Sequence, residues 1–455
     1  LEVDALNTGV RIQEPELENG NWKLGQFPIS SFQFSGFVPD SFFKMKILVL
    51  NAGSSSQKSC LYELTGPLPD EPPPPIWQAH IDWSADPRIA ELQAKNAEGA
   101  TLNQRLKIDS RAAAIEHLLS SLSSGPAKVI AQPSEIDVVG HRVVHGGHDF
   151  ERATLVTPEV RSTIARLAVF APLHNRADLE GMEAIDRIVG AVPQVAVFDT
   201  AFHSRLPAAA ATYAGPYEWM EKGIRRYGFH GISHQYCAQR AAQILERDLH
   251  SLRAITCHLG NGCSLAAVRD GRSVDTTMGF TPLEGLMMGS RSGSIDPGIL
   301  IHLLREEKYS AERLEQVLNK QSGLLGISGV SNDMRQILAA MKAGNSRAQL
   351  AFDMFVHRLR ASIGGMLASL GEIDVLVFTG GIGENSPEVR ASACQAFGCL
   401  QVRLDAEKNA GPLVDRDIAS RESAVRVLVV RAQEEWAIAQ ECWKLNRQEK
   451  LEVRS

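Results

Sequence analysis

The sequence predicts a mixed α/β fold made of two related halves, and three stretches carry that prediction. Residues 47–58 read ILVLNAGSSSQK, an apolar strand cut short by Asn51, Gly53 and serines, with Cys60, Leu61 and Tyr62 resuming as a second strand. Residues 254–271 read AITCHLGNGCSLAAVRDG and repeat that logic about 200 residues later, with a third strand after the Asp270-Gly271 hairpin signal. Residues 375–385, VLVFTGGIGEN, run another apolar strand into a glycine turn that leaves room for a flat or bulky ligand. Turns of this kind converge backbone N–H groups on one point, which suits an anion such as phosphate. The first stretch reads equally as a Ser-rich hairpin turn, and only the remaining chain decides between the two.

A chain of 455 residues can bury a large core and suggests two or three domains. Its 44% hydrophobic and 22% charged residues are ordinary for a soluble protein. A net charge of −6 leaves no electrostatic footprint for nucleic acid or an anionic membrane. The seven cysteines are odd in number, scattered and without C-x-x-C spacing, which favours a reduced, cytoplasmic setting. No apolar run approaches the ~20 residues of a membrane helix.

Taken in order, residues 1–44 differ in character from the rest of the chain: six phenylalanines broken by Pro, Ser and Gly precede the first methionine, Met45. An N-terminal extension or leader, poorly ordered, is the expectation there. Residues 71–75, EPPPP, form a stiff extended loop, and residues 77–83 alternate as a third strand. A helix is expected over 108–123 and a strand over 136–144, ending in HRVVHGG so that Arg142 and His145 sit at its terminus. A short strand, 195–198, ends at Asp199. Ligands gather at such carboxyl ends in α/β sheets. Helix is expected over 339–370, a last strand over 424–430 and a closing helix over 434–445.

No G-x-x-x-x-G-K-[ST] string occurs, and TGGIGEN lacks the third glycine of the dinucleotide fingerprint. Two anion-type turns, one from each half and facing across a cleft, resemble at fold level the two-domain actin, hexokinase and Hsp70 type of ATPase, with a duplicated βββαβαβα core. The expected division is 45–195 plus 429–455 as domain I, with the closing helix returning to it, and 196–428 as domain II.

Among polar residues, Arg142 and Arg291 offer guanidinium forks for carboxylate or phosphate, though an unplaced arginine is as readily half of a surface ion pair. His230, set between glycines in YGFHG, is either catalytic or a satisfied structural histidine. Asp199 could hold a metal, orient an arginine, act as a base or cap a turn. Glu434 and Glu435 open a helix, where carboxylates are favoured whatever the function.

The strings NAGSSS with Lys58, HRVVHGG, APLHN, FDTAFH, YGFHG-x-SH, HLGNG, SVDTTMGFTPLEGLMMG-x-RSG and FTGGIGEN succeed one another from Met45 to about Ala439. In that order they resemble the acetate and propionate kinase family. The resemblance implies reversible transfer of the ATP γ-phosphoryl group to acetate, with Mg²⁺, Mn²⁺ as a substitute, and a homodimer without nucleic-acid or membrane partners. By the same resemblance Asn51 and Glu434 are magnesium-associated, and Lys58 is ATP-associated. Arg142 binds the carboxylate, and Val144, Leu173, Phe229 and Pro282 wall the methyl group. The resemblance assigns His230 and Arg291 to transition-state stabilisation and Asp199 to proton transfer. ATP contacts fall to His258, Leu259, Gly260, Asn261 and Gly262, to Asp333, Met334 and Arg335, and to Gly381, Ile382, Gly383, Glu384 and Asn385. Departures from the family pattern occur at Gln57, Arg176, Ser290, Ser294 and residues 431–433.

A carboxylate acceptor is ionised at neutral pH, with an ordinary pKa near ~4, so it attacks without a general base. The reaction needs charge neutralisation while two anions approach. Asp199 is therefore expected to orient an arginine or a metal-bound water. One methylene is worth only ~1–3 kcal/mol in an apolar pocket, so propionate is a second acceptor, whereas butyrate needs a roomier wall. A nucleotide-gated chaperone or filament protein of the same fold would have no reason to keep Arg142, His230 and Arg291 together.

Overall fold

The structure, a computed structural model, describes residues 17–18, 21–22, 44–53, 56–86, 88–171, 174–412 and 414–452. The chain divides into two compact units, 1–42 and 43–455. In the first, β1 (Leu17–Glu18) pairs antiparallel with β2 (Asn21–Trp22). The remaining extension with its phenylalanines, the Ser54 and Ser55 hydroxyls and Leu173 of the methyl wall lie outside the described residues.

Among the described residues, the second unit carries two sheets. The larger holds β3 (Lys44–Ala52), β4 (Ser56–Thr65), β5 (Trp77–Asp86), β6 (Ile89–Asn96), β7 (Thr101–Lys107), β8 (Val138–Val143), β9 (Thr154–Leu155) and β10 (Gln194–Phe198), in the order β7-β6-β5-β4-β3-β8-β10-β9. The smaller holds β11 (Ala254–Leu259), β12 (Cys263–Arg269), β13 (Arg272–Thr276), β14 (Val375–Thr379), β15 (Arg416–Asp417) and β16 (Arg426–Val429), in the order β13-β12-β11-β14-β16-β15. Set β6 and β7 aside and the two orders match strand for strand. The directions match as well. β3 runs antiparallel to β4 and parallel to β8, as β11 does to β12 and β14. Each sheet continues with a parallel strand, β10 or β16, and ends on a short antiparallel one, β9 or β15. The duplication expected from the two turns is thus written in the pairing of the whole sheet.

Local chemistry explains the elements. Ile47, Leu48, Val49 and Leu50 of β3 are all buried because that strand is covered on both faces, so its apolar run is continuous. β6 alternates buried and exposed residues with one face in water. Asp270 and Gly271 both take positive φ, 53° and 70°, which closes the β12–β13 hairpin tightly.

Two helices in equivalent positions fill the space between the sheets. Gly231–Ile244 comes after β10 and packs on β11 and β14; Glu434–Glu452 comes after β16 and packs on β3 and β8, and the two helices touch. Trp436, Ile438 and Cys442 from one share a core with Cys237, Ala238 and Ala241 from the other. Gly140 in β8 permits this closeness, since a Cβ there would lie 2.5 Å from Cys442 Sγ.

Two expectations are corrected. The helix over 339–370 is two helices, Met334–Lys342 and Ser346–Leu370, because Gly344 turns at φ 85° and the Asn345 side chain caps the second by accepting from Ala348 N. The open glycine turn expected in TGGIGEN is a short helix, Gly380–Asn385, that starts where Gly380 bends off β14 at φ 76°.

Candidate active site

The carboxyl ends of β3, β8 and β10 bring Asn51, Arg142 and Asp199 together. Arg142 donates from Nε to Asp199 Oδ1 at 3.1 Å and from Nη2 to Oδ2 at 2.5 Å, a two-point ion pair. Its Nη1 donates to Ala52 O at 3.2 Å and to Asn51 Oδ1 at 3.4 Å. The Asn51 amide in turn donates to Glu434 Oε2 and Glu435 Oε1, both at 3.0 Å. One polar chain therefore runs from the start of the closing helix to the end of β10. Lys58 stands opposite Asn51 in the β3–β4 ladder.

Burial works against the Arg142 charge, but Asp199 and Glu434 outweigh it and hold the guanidinium charged. Burial raises the Asp199 carboxyl above the ordinary range, and the Arg142 pair opposes that rise. Glu434 ends below its usual range: burial pushes it up, while Arg142, then His258, Asn51 and Lys58, pull it further down.

The second half supplies the facing groups. Gly231 opens the helix after β10, and a Cβ there would lie 2.2 Å from Asp199 O, which accepts instead from Gly231 N at 2.8 Å. That contact fixes His230, at φ 56°, beside Asp199. The His230 ring stacks on His258, with centroids 4.2 Å apart, and its Nδ1 lies 2.8 Å from Ser264 Oγ. A Cβ on Gly262 would lie 3.3 Å from both Arg291 Nη1 and His230 Nε2, so the HLGNG turn, Arg291 and His230 meet at one point. Arg291 also donates to Pro282 O at 3.2 Å. Burial lowers the Arg291 pKa, and burial followed by His258, His234, Arg142 and Arg291 lowers that of His230 far more. Val144 and Phe229 lie in one apolar cluster.

The two glycine loops adjoin, since Gly381 N would be 3.9 Å from a Cβ on Gly260. Gly289 N donates to Asn261 O at 3.0 Å, and Asn332 reaches Asn261 Oδ1 at 3.4 Å, which brings the Asp333–Arg335 segment alongside. Asp333 caps its helix and pairs with Arg335, while the Leu259 and Met334 side chains are buried in the core. The Glu384 carboxylate turns inward: one oxygen accepts from Gly380 N at 3.0 Å and from Ala432 N at 2.8 Å. It ties the TGGIGEN loop to the segment just ahead of Glu434.

Several polar groups at this centre were not singled out from the sequence. Asp178 is buried, accepts from Val144 N at 3.2 Å, and has its carboxyl pushed up to about 7 by burial. His174 is pushed down to about 4 by burial, with Arg142, Arg291 and Arg111 adding to it. Arg111 donates to Gly53 O at 2.8 Å. His234, Thr256 and Ser264 stand behind His230. The SH pair in YGFHG-x-SH signals His234 by helical spacing. Nothing local marks Ser264, which arrives through strand pairing.

The duplicated sheet thus gathers two arginines, Arg142 and Arg291, and the stacked pair His230 and His258, charges and donors of the kind that phosphoryl transfer requires. Residues 46–440 match the model of the acetokinase family. An acetate kinase of Trichormus variabilis is 63% identical over 402 residues, 88% of this chain and 99% of that one. Among solved structures, acetate kinase of Porphyromonas gingivalis is 40% identical with TM-score 0.81, and a propionate kinase of Francisella tularensis 38% identical with TM-score 0.79. Both alignments cover 88% of this chain and 99% of the other. The chain belongs to the acetokinase family, the kinases that move the γ-phosphoryl group between ATP and acetate.

Proposed function

We propose that this chain makes acetyl phosphate and ADP from acetate and ATP, reversibly, by direct in-line transfer between its two lobes, 45–195 with 429–455 and 196–428. The observation that carries the reading is the convergence of Arg142, Arg291 and His230 from three separate segments, with the last two meeting at Gly262 of the HLGNG turn. Arg142 takes the acceptor carboxylate in its fork, with Asp199 and Asn51 fixing the fork's plane. Val144, Phe229 and Pro282, with Leu173, wall the methyl group. The HLGNG turn and Lys58 receive the phosphates, and residues 333–335 and 381–385 form the adenosine side. Arg291 and His230 face the phosphoryl group in transit and offset its charge. Asp199 is a positioning residue here, because both its oxygens are engaged by Arg142.

Glu434, held ionised, fits a magnesium ion, for which one or two carboxylates plus substrate phosphates suffice; Asn51 turns its amide nitrogen to Glu434 and its oxygen to Arg142, so it would join that ion with its amide reversed. Bound there, the ion would neutralise phosphate charge. Cleft closure around both substrates would exclude water and suppress ATP hydrolysis. Propionate is a second acceptor, in keeping with the similar propionate kinase.

A homodimer is part of the same proposal. The helix Pro297–Arg305 has no buried residue, and Ile299, Ile301 and Leu304 stand exposed on it. All seven cysteines are free, and no described helix is long and apolar enough to cross a membrane, which supports a cytoplasmic setting. An ATP-dependent hydroxylamine trap with acetate, propionate and butyrate side by side tests the reading. Product from acetate first, propionate second and butyrate least is expected. Product from none would overturn it.

A further inference from the structure

Behind His230 the buried groups stand in single file. Thr256 Oγ1 lies 2.7 Å from His234 Nδ1, His234 Nε2 lies 2.7 Å from Ser264 Oγ, and Ser264 Oγ lies 2.8 Å from His230 Nδ1. Thr256, His234 and Ser264 are all fully buried, so no solvent enters the line. Each hydroxyl and each neutral ring brings a single hydrogen to such a file, so where every hydrogen is used within it the direction taken at one end sets every bond. With Thr256 donating to His234 Nδ1, His234 donates from Nε2 to Ser264 and Ser264 donates to His230 Nδ1. The hydrogen of His230 then rests on Nε2, the atom that faces Gly262 and shares that point with Arg291. The reverse direction would send the Thr256 hydrogen to Ala266 O, 3.5 Å away at the limit of hydrogen bonding. It would also aim a bare lone pair at the place where phosphate oxygens must come.

We infer that Thr256, His234 and Ser264 are positioning residues that lock His230 in its Nε2–H tautomer, so that it serves as an uncharged hydrogen-bond donor to the migrating phosphoryl group. The inference rests on the role proposed for His230 in phosphoryl transfer. The groups that lower the pKa of His230 are His258, His234, Arg142 and Arg291, and Asp199, whose backbone oxygen accepts from Gly231 N, lies beside it. Burial and the first four hold its pKa well below the ordinary value, which keeps the ring neutral at pH 7. A neutral donor suits this site for a physical reason: two guanidinium charges are already present, and a donor that holds its hydrogen cannot protonate the acetate oxygen that must attack.

The test uses the full chain labelled with ¹⁵N-histidine and two-bond ¹H–¹⁵N correlation at pH 7, the His230 signal being assigned by its loss in His230→Gln. A protonated Nε2 with a bare Nδ1 is expected. Ser264→Ala is expected to release the tautomer into a mixture and to lower kcat at least about tenfold, short of the ~10²–10³ for deleting a donor outright, with both KM values within about twofold. Ser264→Thr keeps the hydroxyl and should restore tautomer and rate, which separates the relay from a loss of packing. A protonated Nδ1 or an imidazolium in the unaltered chain overturns the inference, as does an unchanged tautomer and rate in Ser264→Ala. Full activity in His230→Gln would instead remove His230 from the reaction while leaving the tautomer result standing.

Discussion

Replacing Asp199 by Asn keeps the side chain's shape and removes its charge. In the native chain the Arg142 side chain is 15% exposed and that of Asp199 2%, so solvent does little to screen the pair. Breaking a buried pair from one side costs ~3–5 kcal/mol, because the other charge stays behind uncompensated. The lower figure applies here, since Glu434 also faces the guanidinium and the amide oxygen can still accept one bond. A fall in the apparent Tm should report that loss. The kinetic effect should be larger for acetate than for ATP: a fork turned by about 1 Å from its productive pose costs on the order of 10²-fold in kcat/KM. Initial rates at varied acetate, ATP and Mg²⁺ between pH 5.5 and 8.5 separate the roles. A positioning Asp199 predicts a raised acetate KM and an unchanged pH profile. Disappearance of one limb of that profile in Asp199→Asn would refute the reasoning and make Asp199 a proton carrier.

Two further outcomes rest on the same geometry. The Asp178 carboxyl is raised from 3.8 to about 7, so between those values the unfolded chain gives up a proton that the native chain keeps, and stability falls as pH rises. Asp178→Asn should therefore raise Tm at pH 8, by at most ~4 kcal/mol of stability, with the gain vanishing below about pH 4; a gain independent of pH would exclude the ionisation as its cause. Ile301→Asp, on the exposed apolar helix Pro297–Arg305, should halve the mass measured by light scattering with little change in Tm at low concentration, and an unchanged mass would place the contact elsewhere.

How much of this was legible in the sequence depends on range. β3, β8, β10, β11 and β14 are read from short apolar runs because each is buried on both faces, and the residues at their carboxyl ends, Asn51, Arg142, Asp199 and His258, are those that meet in the site. β6 and β7 are harder, since the buried face of β6 is mainly alanine, Ala90 and Ala94 around Leu92, and β7 is mostly exposed. β9 and β15 are two residues each and have no local signature. The inward turn of Glu384 was invisible for another reason: its partner at Ala432 lies 48 residues away, and only the parallel pairing of β14 with β16 brings the two together. Ser264 reaches His230 the same way, through the pairing of Ser264 with His258 across β11 and β12.

The closing helix also sets a timetable for biosynthesis. Asn51 bonds Glu434 across 383 positions, and the face of β3 and β8 on which Ile438 and Cys442 settle is translated long before its cover exists. While the ribosome works through the intervening chain, Met45, Ile47, Val49 and Val138 lack the helix that covers them on that side. The nascent protein must keep this greasy surface out of trouble, or lend it to a chaperone, until the last helix emerges.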